Sequence, residues 1–216
     1  CVVLFAGPVS AANKIDQLGK KPQRLFHLPK VPSITLSNGM KCYLIEDHSL
    51  PMIGGAVLVR GGSVYEDSKA IGAGSIAVEL LEDGGTLKNS PEKIRELLNQ
   101  DAIDIIFNLG AEAISGGFSA LSKDADKALG YFFEMMFEPA FDKVAMTTLK
   151  RRMIDSLRRD EDLPGPIAAR EFVKMIYGDK GSWGRVVRAS DIKAVTKKDV
   201  VEFYDRFFSC RGHMPT

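Results

Sequence analysis

Hydrophobic and polar residues recur at two different periods along this chain, and the change of period marks out its elements. Ile34 to Leu36 and Met40 to Ile45 flank Asn38-Gly39, which reads as strand, tight turn, strand. Asn-Gly is the strongest short-range hairpin signal, because both turn residues must reach positive φ. A third strand, Met52 to Arg60, stops at Gly61-Gly62. From Ile71 the period becomes helical: Ile71, Ile76, Ala77, Leu80 and Leu81 share the run to Glu82, and Asp83-Gly84-Gly85 ends it. Ser90 and Pro91 have the chemistry of an N-cap and a first helical residue. Ala102 to Asn108 and Ala111 to Phe118 are predicted to pair around Leu109-Gly110. Ala125, Leu129, Phe132, Phe133 and Met136 then fall at helical spacing, and Leu149, Met153 and Leu157 repeat every four residues. Leu129, Phe133, Leu149 and Met153 are expected to face the core, and the run Phe132, Phe133, Met135, Met136, Phe137 to be core with one exposed residue. Helical pattern returns at Ile167 to Tyr177 and Lys197 to Phe208. Strands followed by helices, with little βαβ alternation, give an α+β class.

Outside this patterned region, residues 1–12 are apolar and end in small side chains. They are too short for a bilayer, which takes roughly 20 apolar residues, and read as part of a secretory signal peptide with Val9-Ser10-Ala11 as its cleavage step. A buried N-terminal strand is the alternative. Residues 13–32, punctuated by Pro22, Pro29 and Pro32, read as a linker, and 33–216 as one domain whose C-terminus is expected to be truncated. The expected location is secreted or periplasmic, with no transmembrane segment. In 216 residues, 45% hydrophobic and 26% charged, 29 Lys+Arg nearly cancel 28 Asp+Glu for a net charge of +1. That balance lacks the basic footprint of a nucleic-acid binder. Three widely spaced cysteines, Cys1, Cys42 and Cys210, exclude a disulfide scaffold and a CxxC-type metal site. The histidines are His27, His48 and His213. No phosphate-binding loop and no GxSxG nucleophile motif occurs, and Cys42 has no plausible histidine partner.

Seven segments occur in a recognisable order: Leu36-Ser-Asn-Gly39, Gly61-Gly62-Ser63, Gly72-Ala-Gly74 running to Gly84-Gly85-Thr86, Leu121-Ser-Lys-Asp124, Glu138-Pro-Ala-Phe141, Arg158-Arg-Asp-Glu-Asp-Leu-Pro164, and Ala169-Arg-Glu-Phe172 to Ile176-Tyr-Gly178. Each is weak alone. Together, over Phe26 to Phe208, they resemble the N-terminal domain of the insulinase/pitrilysin-type zinc peptidases, the inverted zincins. The resemblance implies an antiparallel sheet with helices packed mainly on one face. In active members the helix after the Gly-Ser turn carries H-x-x-E-H. Its two imidazoles hold zinc, its glutamate polarises the zinc-bound water, and a glutamate on a later helix completes the site.

This chain departs from that pattern. Aligned from Gly72, the three positions are Ser75, Val78 and Glu79; aligned back from Gly85-Thr86, they are Ile76, Glu79 and Leu80. The later glutamate position falls at or near Ser156, beside Asp155. Serine and aliphatic side chains do not replace imidazole, so no catalytic residue, metal or cofactor is expected. Glu79 reads as a solvated helix carboxylate rather than a surviving base, and His48 as an exposed loop histidine. Lys150, Arg151, Arg152, Arg158 and Arg159 form either a basic wall for a peptide C-terminus or, more commonly, a solvated face paired with Asp155, Asp160 and Glu161. The resemblance implies a non-catalytic domain that binds peptide substrate and partners a catalytic homologue, as a second subunit or a second domain. Two alternatives stay open: part of an active peptidase whose catalytic domain lies elsewhere, and a purely structural scaffold. The signal reading predicts a mature protein that begins at Ala12 or Asn13. N-terminal sequencing from the native host checks it, and retention of Cys1 refutes it.

Overall fold

The structure, a computed structural model, describes residues 31–37, 39–178 and 181–208. The expected signal segment, nearly all of the linker, and the tail holding Cys210 and His213 lie outside the described residues. The chain divides into two compact units between His48 and Ser49. The first holds a hairpin of β1 (Ser33–Thr35) and β2 (Lys41–Tyr43), in which Ile34 pairs with Cys42. Leu36 N–H donates to the carbonyl of Met40 at 2.9 Å, and Gly39 has φ +83°. The loop therefore spans three residues with glycine in the left-handed region, a known hairpin form, rather than the two-residue turn expected.

The second unit contains β3 (Met52–Arg60), α1 (Ala73–Asp83), α2 (Pro91–Gln100), β4 (Asp104–Leu109), β5 (Ala113–Leu121), α3 (Ala125–Phe137), α4 (Lys143–Asp160), α5 (Pro164–Tyr177), α6 (Ala189–Ala194) and α7 (Lys197–Phe208). Its strands form an antiparallel sheet in the order β3-β5-β4. Side chains alternate across it: Ile105, Phe107, Ile114 and Ala120 are buried, while Met52, Leu58 and Ile106 are exposed on the other face. Helices α1, α3 and α7 pack against this sheet. The α+β class and the one-sided helical layer are as expected, with the strands divided between a hairpin and a three-stranded sheet.

At the centre lies α1, whose Ile76, Ala77, Val78, Leu80 and Leu81 are all buried. It packs against β4, α3, α4 and α7. On α3 the buried stripe is Ala128, Phe132, Met135 and Met136; Leu129 is half-buried, and Phe133 and Phe137 are both exposed. The expected stripe was thus rotated by about one position. Small Ala128 lets the helix approach closely, and Phe132 then stacks on Phe107 at 5.5 Å and tilts against Phe118 at 5.3 Å. The two outward rings, Phe133 and Phe137, stack on each other at 6.0 Å. Of the expected α4 positions, Leu149 is buried, and Met153 and Leu157 pack partly buried against the core. The short helix α6 has too few residues to show a period, yet its Ile192 is fully buried.

The start of α1 depends on a buried acid. Glu66, only 7% exposed, accepts from the backbone N–H groups of Gly72 at 3.0 Å and Gly74 at 2.8 Å. A carboxylate there satisfies amides with no helical partner and sits at the positive end of the helix dipole. Both glycines leave room for it. Gly72 has φ +90°, and a Cβ on it would lie 2.4 Å from Cδ1 of Ile192. Glu66→Ala should therefore lower unfolding stability by about 2 kcal/mol, with Glu66→Gln between it and the wild type; Gly72→Ala should also destabilise. Urea denaturation measures all three, and an unchanged midpoint for Glu66→Ala refutes the cap.

Candidate functional site

Anchored by Glu66, α1 turns one stripe outward. Of the positions aligned with the zinc motif, Ile76 and Leu80 are fully buried and Val78 is 1% exposed, so none of these can face a substrate. Ser75 is half-buried and Glu79 exposed, on the same face as Glu82 and Asp83. The structure thus favours the alignment from Gly72 for its two outer positions. Across from this stripe runs α4, with Ser156 half-buried and Asp155 exposed. One turn earlier on α4, Arg152 reaches back to α1, placing its Nη2 2.6 Å from Oδ2 of Asp83 and 3.9 Å from Oε2 of Glu79. Arg95 of α2 approaches Asp83 at 3.6 Å. Beside these groups opens a shallow groove lined by Asp83, Arg95, Asp142, Thr148 and Arg152.

These positions do not make a zinc site. Ser75, Glu79 and Ser156 offer one carboxylate and two hydroxyls, where zinc takes imidazole, thiolate or carboxylate from three protein ligands. The one carboxylate already faces a guanidinium. Among the described residues no group of three or more His, Cys, Asp and Glu is arranged to hold a metal ion. Burial holds the Glu79 carboxyl above its ordinary value, Arg152 opposing and Asp83 adding to the shift. Burial likewise raises Glu82; the Phe107 amide opposes that shift, and Asp83, Glu79 and Asp104 add to it.

Glu82 has a further role that residue spacing does not reveal. Its Oε1 accepts from the backbone N–H of Phe107, in the middle of β4, at 2.5 Å. Amides in an antiparallel strand alternate between its two sides, and β4 is an edge of its sheet. Glu82 therefore occupies a donor on the outer edge. The turn after α1 is fastened as well. Thr86 hydrogen-bonds Glu134 of α3, and Asn89 Nδ2 donates to the same carboxylate at 2.8 Å.

The basic residues of α4 are mostly committed to structure. Lys150 Nζ donates to the carbonyls of Lys193 at 3.0 Å and Val195 at 2.6 Å, closing the C-terminal end of α6. Burial lowers its pKa, with Asp199 opposing. Arg152 bridges to α1, and Arg158 lies 4.0 Å from Asp155. Only Arg158 pairs with one of the expected acids; Lys150 is held by carbonyls and Arg152 by carboxylates of α1 instead. His48 is exposed, 3.9 Å from Glu46, and Cys42 is a free thiol. Of the residues that organise the site, Arg152 was marked by the sequence only as one of the basic cluster on α4, and Glu66 and Glu82 were not singled out.

No protein-family model and no curated protein matches the sequence. Solved structures do match. A peptidase M16 inactive domain from Pseudomonas fluorescens aligns over 84% of this chain and 44% of its own, with a TM-score of 0.78 and 20% identity. A protease from Helicobacter pylori aligns over 85% and 45%, at 0.75 and 18%. The periplasmic protease PqqL from Escherichia coli aligns over 83% and 20%, at 0.71 and 14%. The chain thus spans less than half the length of each. Identities this low speak to architecture alone, and architecture is what the motif order had implied: the chain has the fold of an insulinase-type, or M16, peptidase domain.

Proposed function

We propose that this chain is a non-catalytic peptidase-like domain that binds extended peptide along β4 and supports hydrolysis by a zinc-competent relative. One observation carries the reading. The outward stripe of α1 presents Ser75 and Glu79 and is tied by Arg152 to α4, while the fold around it is retained. A guanidinium fixed between two carboxylates can organise the helices. It cannot ionise a water at neutral pH as bound zinc does. The Pseudomonas domain of the same fold is itself described as inactive. Peptide binding is supported by β4 as an edge strand, since extended peptides add to such edges through main-chain hydrogen bonds. An exported location is supported by the apolar start of the sequence and by the periplasmic location of PqqL. Among the described residues no helix is long and apolar enough to cross a membrane.

A scaffold reading has one observation in its favour. Glu82 holds the Phe107 amide, so a peptide pairing at mid-strand must first displace it.

Three measurements bear on these readings. The purified chain should retain no stoichiometric zinc after dialysis and cleave no peptide, and Ser75→His alone should restore neither property; tight zinc retention overturns the proposal. Glu82→Ala should free the Phe107 amide and raise the affinity of an extended peptide by about 2–10-fold, measured by fluorescence anisotropy. Absence of binding by wild type and variant alike favours the scaffold. The third measurement is the pH dependence of stability. A carboxyl raised in the fold binds its proton more tightly there than in the unfolded chain. Its favourable contribution is complete below the unfolded Glu value and is lost as pH rises through the raised one. Glu82→Gln should therefore gain stability relative to wild type as pH rises from acid to neutral. A difference that does not vary with pH refutes the assignment.

A further inference from the structure

Glu82 occupies one position in a row of main-chain donors along the outer edge of β4. Gly110 N–H donates to the carbonyl of Ala113 at 2.8 Å, continuing the β4–β5 pairing past Leu109. Alternation from that bond turns Asp104, Ile106 and Asn108 toward β5, and Ile105, Phe107 and Leu109 to the outer edge. Just before them, the Ile103 amide is taken by the carbonyl of Leu98 at 2.9 Å, and the Phe107 amide is taken by Glu82. Ile105 and Leu109 donate to nothing outside the sheet among the described residues. The half-buried Glu82 carboxylate also lacks an ion pair among the described residues. From α1 Asp83 and Glu79 face it, and from β4 Asp104, all of them acids. Arg152 of α4 and Arg95 of α2 engage Asp83 and Glu79 instead. The cations of α3 and α7 are held elsewhere: Lys127 by Asp101, Lys197 by the Ala140 carbonyl, Lys198 by Glu202 and Arg206 by the Tyr65 carbonyl.

We propose that Glu82 is an acid-released latch on β4, an inference that rests on the peptide binding proposed above. An extended peptide pairing antiparallel with β4 sets one of its carbonyls at the Phe107 amide. In neutral solution that place is held by a carboxylate. Its charge-assisted hydrogen bond is about twice as strong as a neutral one, and its charge repels the incoming carbonyl. Protonation reverses both effects. The neutral acid is a weaker acceptor, and its O–H becomes a donor that the peptide carbonyl accepts. With peptide in place, Glu82 loses the Phe107 amide, the donor that favours its anion, and gains a carbonyl in front of it and more cover from solvent. Each change favours the protonated form, so the complex takes up a proton and affinity rises as pH falls. Burial, with Asp83, Glu79 and Asp104 adding, already holds this carboxyl above its ordinary value, and the release therefore begins above the usual glutamate range.

The probe is an amidated peptide of alternating Val and Thr with a rhodamine on its N-terminus, so that no group of its own titrates in the range used. Its affinity for the purified full chain, read by anisotropy, should rise about 5–10-fold between about pH 7.5 and about pH 5. Glu82→Gln should bind at neutral pH as tightly as wild type does in acid, with no response to pH. In peptide-free wild type, the NMR signal of the Phe107 amide should move over the same range, a readout that stands whether or not the variant folds. A wild-type affinity that is flat or falls in acid overturns the latch and leaves the peptide reading standing. So does a Glu82→Gln variant that keeps the wild-type response, or a Phe107 signal that does not titrate. Absence of binding by wild type and variant at every pH overturns the peptide reading, and the latch with it.

Discussion

A buried carboxylate on the first amides of α1 is the contact from which the rest of the domain takes its position. Glu66 accepts from Gly72 and Gly74, and this sets the rotation of α1 about its axis. Ile76, Ala77 and Leu80 are thereby placed in the core and Ser75 and Glu79 at the surface. Closing the same turn from the other side, Arg185 donates to the carbonyl of Glu66 at 3.2 Å, so the segment before α6 is drawn onto it. A helix set a few tens of degrees differently would carry its outward stripe away from α4. The charges that link the two helices would then lose their reach.

Between α1 and α4 lies a fixed positive charge, Arg152, where the proposed loss of zinc ligands would leave none. The two cations act differently. Zinc draws its ligands into a tetrahedron and polarises what it binds. A guanidinium is a planar donor that is satisfied by carboxylates and leaves no open position. The arrangement is therefore an electrostatic tie between the helices.

Much of this was legible from residue order, because local rules and the final packing agree. β3 and α7 have the bounds that alternation and helical spacing suggest. Ser90 accepts from Lys93 N–H, with Pro91 as first helical residue. What spacing leaves open is direction. It could not choose between Ser75 with Glu79 and Ile76 with Leu80 as outer positions, since that depends on Glu66, outside the helix. It marked α5 as helical without revealing that Phe172, Met175 and Ile176 are exposed. It placed Phe133 rather than Ala128 in the core, because period alone does not count the space that Phe107 and Phe118 leave for Phe132. The antiparallel sheet with helices on one face was readable through family resemblance and strand–helix order together; Glu82 on the β4 edge was not readable at all.

The tie between α1 and α4 also sets which solution variable the domain responds to. A helix pair clamped by zinc is sensitive to metal supply and to chelation. Here the clamp is an ion pair whose members, Arg152 and Asp83, stay 59% and 35% exposed. Such a pair is weak and within reach of mobile ions, whose screening length shortens from about 30 Å in dilute buffer to about 8 Å at physiological ionic strength. The contact between the two helices therefore depends mildly on ordinary salt.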